Sequence, residues 1–120
     1  MHLSNETGRQ GEALAAAYYK ARGFDILETN WRYSYYEIDL IAVKGPLLHI
    51  VEVKTRYSDT YGHPEESVTP LKLHRLMKAG GRYMGLHPQW KYVQYDILSI
   101  RLTTGKSPVY FLIEDMYEYP

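Results

Sequence analysis

Residues 36–56 read YEIDLIAVKGPLLHIVEVKTR, and this stretch decides the fold of the chain. Two apolar runs, at 38–43 and 47–53, are separated by the turn sequence KGP at 44–46. Apolar runs of this length joined by a short glycine-containing turn predict two antiparallel strands that are buried on both faces. We therefore expect the sheet to be built around this hairpin.

Ionisable residues interrupt both apolar runs: Asp39 lies in the first, and Glu52 and Lys54 lie at the end of the second. Because side chains alternate along a strand, Glu52 and Lys54 project from one face, and antiparallel pairing can bring Asp39 beside them. Two carboxylates and an ammonium group in an apolar sheet are costly unless something compensates their charge. A hard divalent cation would do so, and the stretch therefore predicts a metal site.

The spacing of these residues resembles a nuclease signature. Asp39, followed thirteen residues later by EVK at 52–54, resembles the D-x(n)-E-x-K pattern of the PD-(D/E)xK nucleases, which include type II restriction enzymes and archaeal Holliday-junction resolvases. Over residues 8–83 the chain also resembles the small, largely uncharacterised bacterial YraN-type family. The segments that carry this second resemblance are GRQGE at 8–12, Asn30, EIDLIA at 37–42, VEVKTR at 51–56, YGHP at 61–64, Lys72 and Arg75. The chain departs from the family at Tyr36, where glycine is usual.

The resemblance implies a restriction-endonuclease-like α/β fold over residues 1–120, with a mixed central sheet of about five strands flanked by helices. The implied catalytic residues are Glu12, Asp39, Glu52 and Lys54, and the implied metal ligands are Asp39, Glu52, Val53 through its carbonyl, and Glu12. Mg²⁺ is the implied ion, with Mn²⁺ as a substitute. The implied substrate is DNA, and the analogy with resolvases suggests branched or irregular DNA and a homodimer.

Composition limits the other classes of protein. A chain of 120 residues suffices for one domain with one core. Lys and Arg number 14 and Asp and Glu also 14, so no global positive field attracts phosphates and any DNA contact must be local. The absence of cysteine excludes disulfides and thiolate zinc sites and favours the reducing cytoplasm. Neither a signal peptide nor a membrane span is expected.

Residues 7–22 predict the first helix, with candidate caps at its start, an alanine-rich interior and Gly23 after its end. Glu12 in its first turns is either a solvated acid favoured by the helix dipole or, by the resemblance, a carboxylate of the site. Gly8 and Gly11 would let the backbone approach either the sheet or a phosphate. Both alternatives stay open at the level of sequence.

Residues 67–84 predict the second helix, with Thr69 as its N-cap and Pro70 in its first position. The predicted apolar arc consists of Leu76, Met77, Gly80, Tyr83 and Met84, and the opposite, basic arc consists of Lys72, Arg75, Lys78 and Arg82. No acid occurs between residues 67 and 95, so the basic arc, together with Arg56, is the predicted DNA contact surface. The alternative is an ordinary solvated face.

Further strands are predicted at 24–31, 91–102 and 109–113, which gives the order helix, three strands, helix, two strands. A helical crossover permits the strands on either side of the second helix to pair in parallel. The polar loop 57–64, with His63, is expected at the surface beside the site. Asp96 in the fourth strand is a further candidate for the site.

Glu37 shares strand parity with Asp39 and is either a site residue or an edge partner for a cation. The chain's thirteen tyrosines either stack on bases or cover half-buried strand surfaces. The resulting prediction is a Mg²⁺-dependent endonuclease that hydrolyses DNA. One alternative is a nucleic-acid-binding module with little or no catalysis, which the zero net charge and Tyr36 favour. Another is a scaffold in which Asp39, Glu52 and Lys54 simply pair with one another.

Overall fold

The computed structural model describes residues 5–57 and 69–116. The described elements are α1 Asn5–Ala21, β1 Asp25–Tyr33, β2 Tyr36–Lys44, β3 Leu47–Tyr57, α2 Pro70–Leu86, β4 Tyr92–Leu102 and β5 Val109–Met116. This is the predicted order, and the mixed α/β fold is confirmed. The expectations for His63 and for the rest of the loop after Tyr57 fall outside the described residues.

The described strands form one five-stranded sheet in the order β1-β2-β3-β4-β5. Neighbouring strands are antiparallel except β3 and β4, which are parallel and pair from Leu47 with Tyr92 to Tyr57 with Leu102. α2 is the crossover that makes the parallel pair possible, as the sequence predicts. Gly45, with φ of 63°, turns the chain between β2 and β3.

The two helices of the described chain cover opposite faces of the sheet. α2 packs through Leu76 and Tyr83 on a core that contains Ile41 and Ile50. The core under α1, on the other face, contains Ala15, Tyr19, Leu40, Ala42, Val51, Leu98 and Ile100. Neither described helix is long and apolar enough to cross a membrane.

Two glycines mark places where a helix touches the sheet closely. Gly11 of α1 lies so close to Thr55 of β3 that an added Cβ would overlap the threonine hydroxyl. Gly80 of α2 lies over Tyr95, whose hydroxyl would be 2.7 Å from an added Cβ. Gly11 therefore allows α1 to approach the sheet closely, which is one of the two roles that the sequence left open for it.

The predicted face of α2 needs correction. Its cap is the expected one, since the Thr69 side chain accepts a hydrogen bond from the Lys72 N–H at 3.1 Å. The buried residues are Leu73, Leu76, Ala79, Gly80 and Tyr83, whereas the predicted Met77 and Met84 are half-buried. The helix is thus rotated by about 40° from the predicted orientation, at about 100° per residue. This rotation brings Lys72 to the edge of the buried face.

Candidate functional site

The candidate site lies where β2 and β3 separate. Their paired register runs from Lys44 with Leu47 to Leu40 with Val51, and Asp39 and Glu52 are the next residues along each strand. Beyond this point the Val53 N–H donates to the Asp39 side chain, with 2.8 Å between Val53 N and Asp39 Oδ2. The opening holds a pocket of about 260 Å³, whose lining residues are Glu37, Asp39, Glu52, Val53, Lys54 and Leu76.

A bend in the β1–β2 hairpin places Asp39 at this opening. Ile38 packs in the core under α2 and Leu40 in the core under α1, although residues two apart on a regular strand share a face. On β1, Asn30 has a φ of 52° and lies between the residues that pair with Ile38 and Leu40. The hairpin therefore changes face at Asn30 and Asp39, which leaves Asp39 at the mouth of the pocket rather than inside either core.

The surroundings of Asp39 disfavour its negative charge. Burial raises the pKa of Asp39 from 3.8 to about 6, although the hydrogen bond from the Val53 N–H lowers it in part. The neighbouring charges that raise this pKa further are those of Glu52, Glu37 and Glu12. An ionised Asp39 is therefore unfavourable in this pocket unless positive charge comes near it.

Two lysines supply positive charge at the site. Lys54 Nζ lies 3.2 Å from Glu52 Oε2, so these two side chains share a face of β3 and form an ion pair. The adjacent Lys54 amine and burial lower the pKa of Lys72, while Glu52 raises it. Lys72 of α2 thus lies near Lys54 and Glu52, although it is not one of the residues lining the pocket.

Glu12 occupies a different position from the other predicted ligands. Its Oε1 accepts a hydrogen bond from Asn30 Nδ2 at 2.9 Å, and it is not one of the residues lining the pocket. Its charge nevertheless raises the pKa of Asp39. The structure therefore brings together Asp39, Glu52, Val53 and Lys54, and places Glu12 behind them, against the bend at Asn30.

The oxygen donors at the pocket suit a hard cation. Among the described residues no group of three or more His, Cys, Asp or Glu side chains is arranged to hold a metal. Mg²⁺, however, is commonly held by only one or two carboxylates and keeps several waters. Asp39, Glu52 and Val53 all line the pocket, so the residues present include oxygen donors of the kind that Mg²⁺ takes.

The remaining candidates fall into three places. Glu37 lines the pocket and also pairs with Arg32, whose Nη2 lies 2.7 Å from Glu37 Oε2, so both of its proposed roles are compatible with its position. Arg75, Lys78 and Arg82 belong to α2, and Arg56 lies near the end of β3; all four are exposed. Tyr36 packs against the core under α2 and is not among the residues lining the pocket.

Asp96 belongs to a separate buried network on the α1 side of the sheet. Its Oδ2 accepts from Tyr19 Oη and lies 2.8 Å from His49 Nδ1, and its Oδ1 accepts from Gln94 and from the Asp115 N–H. Burial alone would raise the pKa of Asp96, but the hydrogen bonds from His49, Gln94 and Tyr19 lower it below its ordinary value. No local pattern in the sequence indicates this network, because Tyr19 lies 77 residues away and His49 47 residues away.

Comparison with known proteins places these residues in a widespread set of bacterial sequences. The family model described as "Uncharacterised protein family UPF0102" matches residues 11–100, which contain Glu12, Asp39, Glu52 and Lys54. A UPF0102 protein of Chlorobaculum parvum is 42% identical over 101 residues, covering 83% of this chain and 78% of the relative. A UPF0102 protein of Syntrophomonas wolfei is 40% identical over 112 residues, covering 92% of this chain and 97% of the relative.

Proposed function

We propose that this chain, which belongs to the uncharacterised protein family UPF0102, is a Mg²⁺-dependent nuclease that hydrolyses phosphodiester bonds in DNA. This family is the YraN-type family indicated by the sequence motifs. One observation carries the proposal: two carboxylates and an amine, those of Asp39, Glu52 and Lys54, converge in one pocket where two central strands separate.

Phosphodiester hydrolysis requires a cation at the phosphate, activation of the attacking water and stabilisation of the charge that develops as the bond breaks. Asp39 Oδ1, the Glu52 carboxylate and the Val53 carbonyl would hold the ion. A Mg²⁺ ion held by these oxygens would supply the positive charge that polarises the phosphate. The Val53 N–H fixes the other Asp39 oxygen, so the carboxylate is oriented by the backbone.

Lys54 is the residue assigned to the water and to the developing charge. Its amine lies in the same pocket as both carboxylates, at 3.2 Å from Glu52. From that position it would orient the attacking water, help to remove its proton and stabilise negative charge on the phosphate. Glu12 would complete the acidic environment from α1 through its hydrogen bond with Asn30.

DNA binding is assigned to local rather than global charge. The basic residues proposed to contact phosphates are Lys72, Arg75, Lys78 and Arg82 of α2 and Arg56 of β3. Branched or irregular DNA is the proposed substrate by analogy with resolvases, and cutting both strands would need two sites and hence a homodimer. The lack of cysteine supports a cytoplasmic location.

Cleavage assays with matched variants test the proposal. Purified protein is incubated with Mg²⁺ or Mn²⁺ and with linear, nicked and branched DNA, beside Asp39→Ala, Lys54→Met and the control Asp25→Ala, whose side chain is exposed on β1. We expect the wild type and the control to cleave, and the two pocket variants to lose on the order of 100-fold or more. Equal cleavage by the wild type and Asp39→Ala would reveal a contaminating nuclease and refute the assignment.

A nucleic-acid-binding module without catalysis is the second candidate, and one contact favours it. Because Lys54 already pairs with Glu52 at 3.2 Å, the charge of Glu52 is balanced without a metal ion. Calorimetry with Mg²⁺ separates the candidates. A nuclease should bind Mg²⁺, and the Glu52→Ala variant should lose this binding. A simple nucleic-acid-binding module needs no Mg²⁺. If the DNA affinity were the same with and without Mg²⁺, and the same in Lys54→Met as in the wild type, the second candidate would be favoured.

A further inference from the structure

The turn between β1 and β2 exposes an aromatic side chain that the core does not use. Tyr35 is 99% exposed at the tip of this hairpin. The preceding Ser34 has a φ of 58°, a conformation uncommon for residues other than glycine. A fully hydrated aromatic ring buries no surface and so contributes little to the stability of the fold. Binding therefore explains this residue better than folding does.

Below the turn lies a second exposed ring that is held rigidly. Tyr33 is 40% exposed and stacks on Trp31, with ring centroids 6.2 Å apart and an angle of 9° between the rings. The Arg82 guanidinium lies 4.9 Å from the centroid of the Tyr33 ring. Trp31 in turn packs edge-on against Tyr83 of α2, at 5.2 Å. We call Tyr33, Tyr35 and Arg82 the aromatic tip.

The aromatic tip is close along the chain to the candidate catalytic pocket, although none of its three residues lines the pocket. Glu37, which lines the pocket, is only two residues from Tyr35, and consecutive Cα atoms are about 3.8 Å apart. The Arg32 side chain balances the charge of Glu37 at 2.7 Å. α2 connects the two places as well, since Leu76 lines the pocket and Arg82 contacts Tyr33. A DNA strand with its phosphate in the pocket would have the tip within reach of a neighbouring nucleotide, because two residues of chain span about 7 Å.

Exposed rings beside cations are the elements by which proteins bind single-stranded nucleic acid, with the rings stacking on bases and the cations contacting the backbone. In a continuous duplex both faces of each base are already stacked, so the tip would find no ring face to bind. An unpaired base offers one. The alternative that the tyrosines only cover strand surfaces does not account for Tyr35, which covers none.

We propose that the aromatic tip stacks on an unpaired base next to the scissile phosphate, and that the substrate class is DNA in which a single-stranded segment adjoins a duplex. This assignment rests on the proposed nuclease function and adds its substrate class. In this assignment Tyr35 makes the contact that selects such DNA, and Tyr33 supports it.

Binding measurements without cleavage test the inference. Fluorescence anisotropy in EDTA gives the Kd for a forked DNA, a single strand and a duplex of equal length, for wild type, Tyr35→Ala, Tyr35→Trp and the control Tyr92→Ala. Tyr92 is 63% exposed at the start of β4 and pairs with Leu47, at the end of β3 remote from Glu52. We expect Tyr35→Ala to weaken binding of the fork and the single strand about 5- to 150-fold, leaving the duplex unchanged.

A spectroscopic readout separates stacking from simple contact. With 2-aminopurine as the unpaired base next to the duplex, binding of wild type and Tyr35→Trp should quench its fluorescence, whereas Tyr35→Ala should not. An unchanged fork affinity in Tyr35→Ala, or an equal loss for fork and duplex, would overturn the inference and leave the nuclease proposal in place. Absence of DNA cleavage by the wild type would refute the nuclease, and with it the placement of the tip next to a scissile phosphate, whatever the binding measurements give.

Discussion

Replacing Asp39 by asparagine is expected to stabilise the fold at neutral pH. The amide oxygen of asparagine can still accept the hydrogen bond from the Val53 N–H, which measures 2.8 Å to the native carboxylate. The substitution removes the negative charge that the pocket disfavours, beside Glu52, Glu37 and Glu12. When a residue is kept for function although it destabilises the folded state, its replacement is expected to make the protein more stable.

The size of the effect follows from the pKa of Asp39. Folding raises this pKa from 3.8 to about 6, so the folded protein holds the proton more tightly than the unfolded chain does. The stability contributed by the protonated group is therefore fully present below a pH of about 4 and is lost as the pH rises through about 6. At 1.36 kcal/mol per pKa unit, the loss is at most about 3 kcal/mol. The Asp39→Asn variant has no carboxylate to ionise at this position and would keep its stability across the same pH range.

Urea unfolding at neutral pH and at about pH 4 measures the difference, with Asp25→Asn as a control for an exposed acid of β1. The free energy of unfolding of Asp39→Asn should exceed that of the wild type by up to about 3 kcal/mol at neutral pH and match it at the acid pH. Added Mg²⁺ should raise the stability of the wild type but not that of the variant, since only a ligand that binds the folded state stabilises it. If Asp39→Asn were equally destabilised at both pH values, Asp39 would be a structural residue and the reasoning would be refuted.

Urea unfolding also tests three structural contacts. Gly80→Ala should cost about 1–3 kcal/mol because its Cβ would lie 2.7 Å from the Tyr95 hydroxyl. An added Cβ at Gly81 would meet no heavy atom of the described residues within 4 Å, so Gly81→Ala should raise the free energy of unfolding by about 1 kcal/mol. If Gly80→Ala and Gly81→Ala changed the stability in the same direction, this account would be contradicted. Thr69→Ala should cost about 1 kcal/mol through the lost cap of α2, and an unchanged midpoint would argue against that cap. Asp96→Ala should lower the free energy of unfolding by about 3–5 kcal/mol and leave the Mg²⁺ affinity, measured by calorimetry, unchanged. If the folded variant lost Mg²⁺ binding, the buried network would be shown to support the pocket.

The order of the elements could be predicted because each has a local cause. The KGP turn separates β2 from β3, Thr69 caps α2, and α2 is a crossover that lets β3 and β4 run in parallel. The pairing of Glu52 with Lys54 likewise follows from strand alternation alone. These features depend only on residues that are neighbours in the chain or on the side-chain periodicity of a single helix or strand, and both can be read from one sequence.

The rest depends on contacts between distant segments. Strand alternation assumes a regular strand, so it could not show that the hairpin changes face at Asn30 and Asp39. The orientation of α2 involves the close approach of Gly80 to Tyr95, which lie in different elements. No local pattern encodes either contact.

The parallel pairing of β3 with β4 also bears on how the protein is made. The hairpins β1–β2 and β2–β3 join neighbours in the chain, whereas β3 meets β4 only after α2 has been added, with residue 47 beside residue 92. Closing a longer loop costs more chain entropy, so this central ladder should form late during folding. Glu52 and Lys54 lie on β3, opposite Ile97 and Ser99 of β4. A nascent chain that has not yet emerged from the ribosome as far as β4 would therefore carry every proposed catalytic residue while Glu52 and Lys54 still lacked their neighbouring strand.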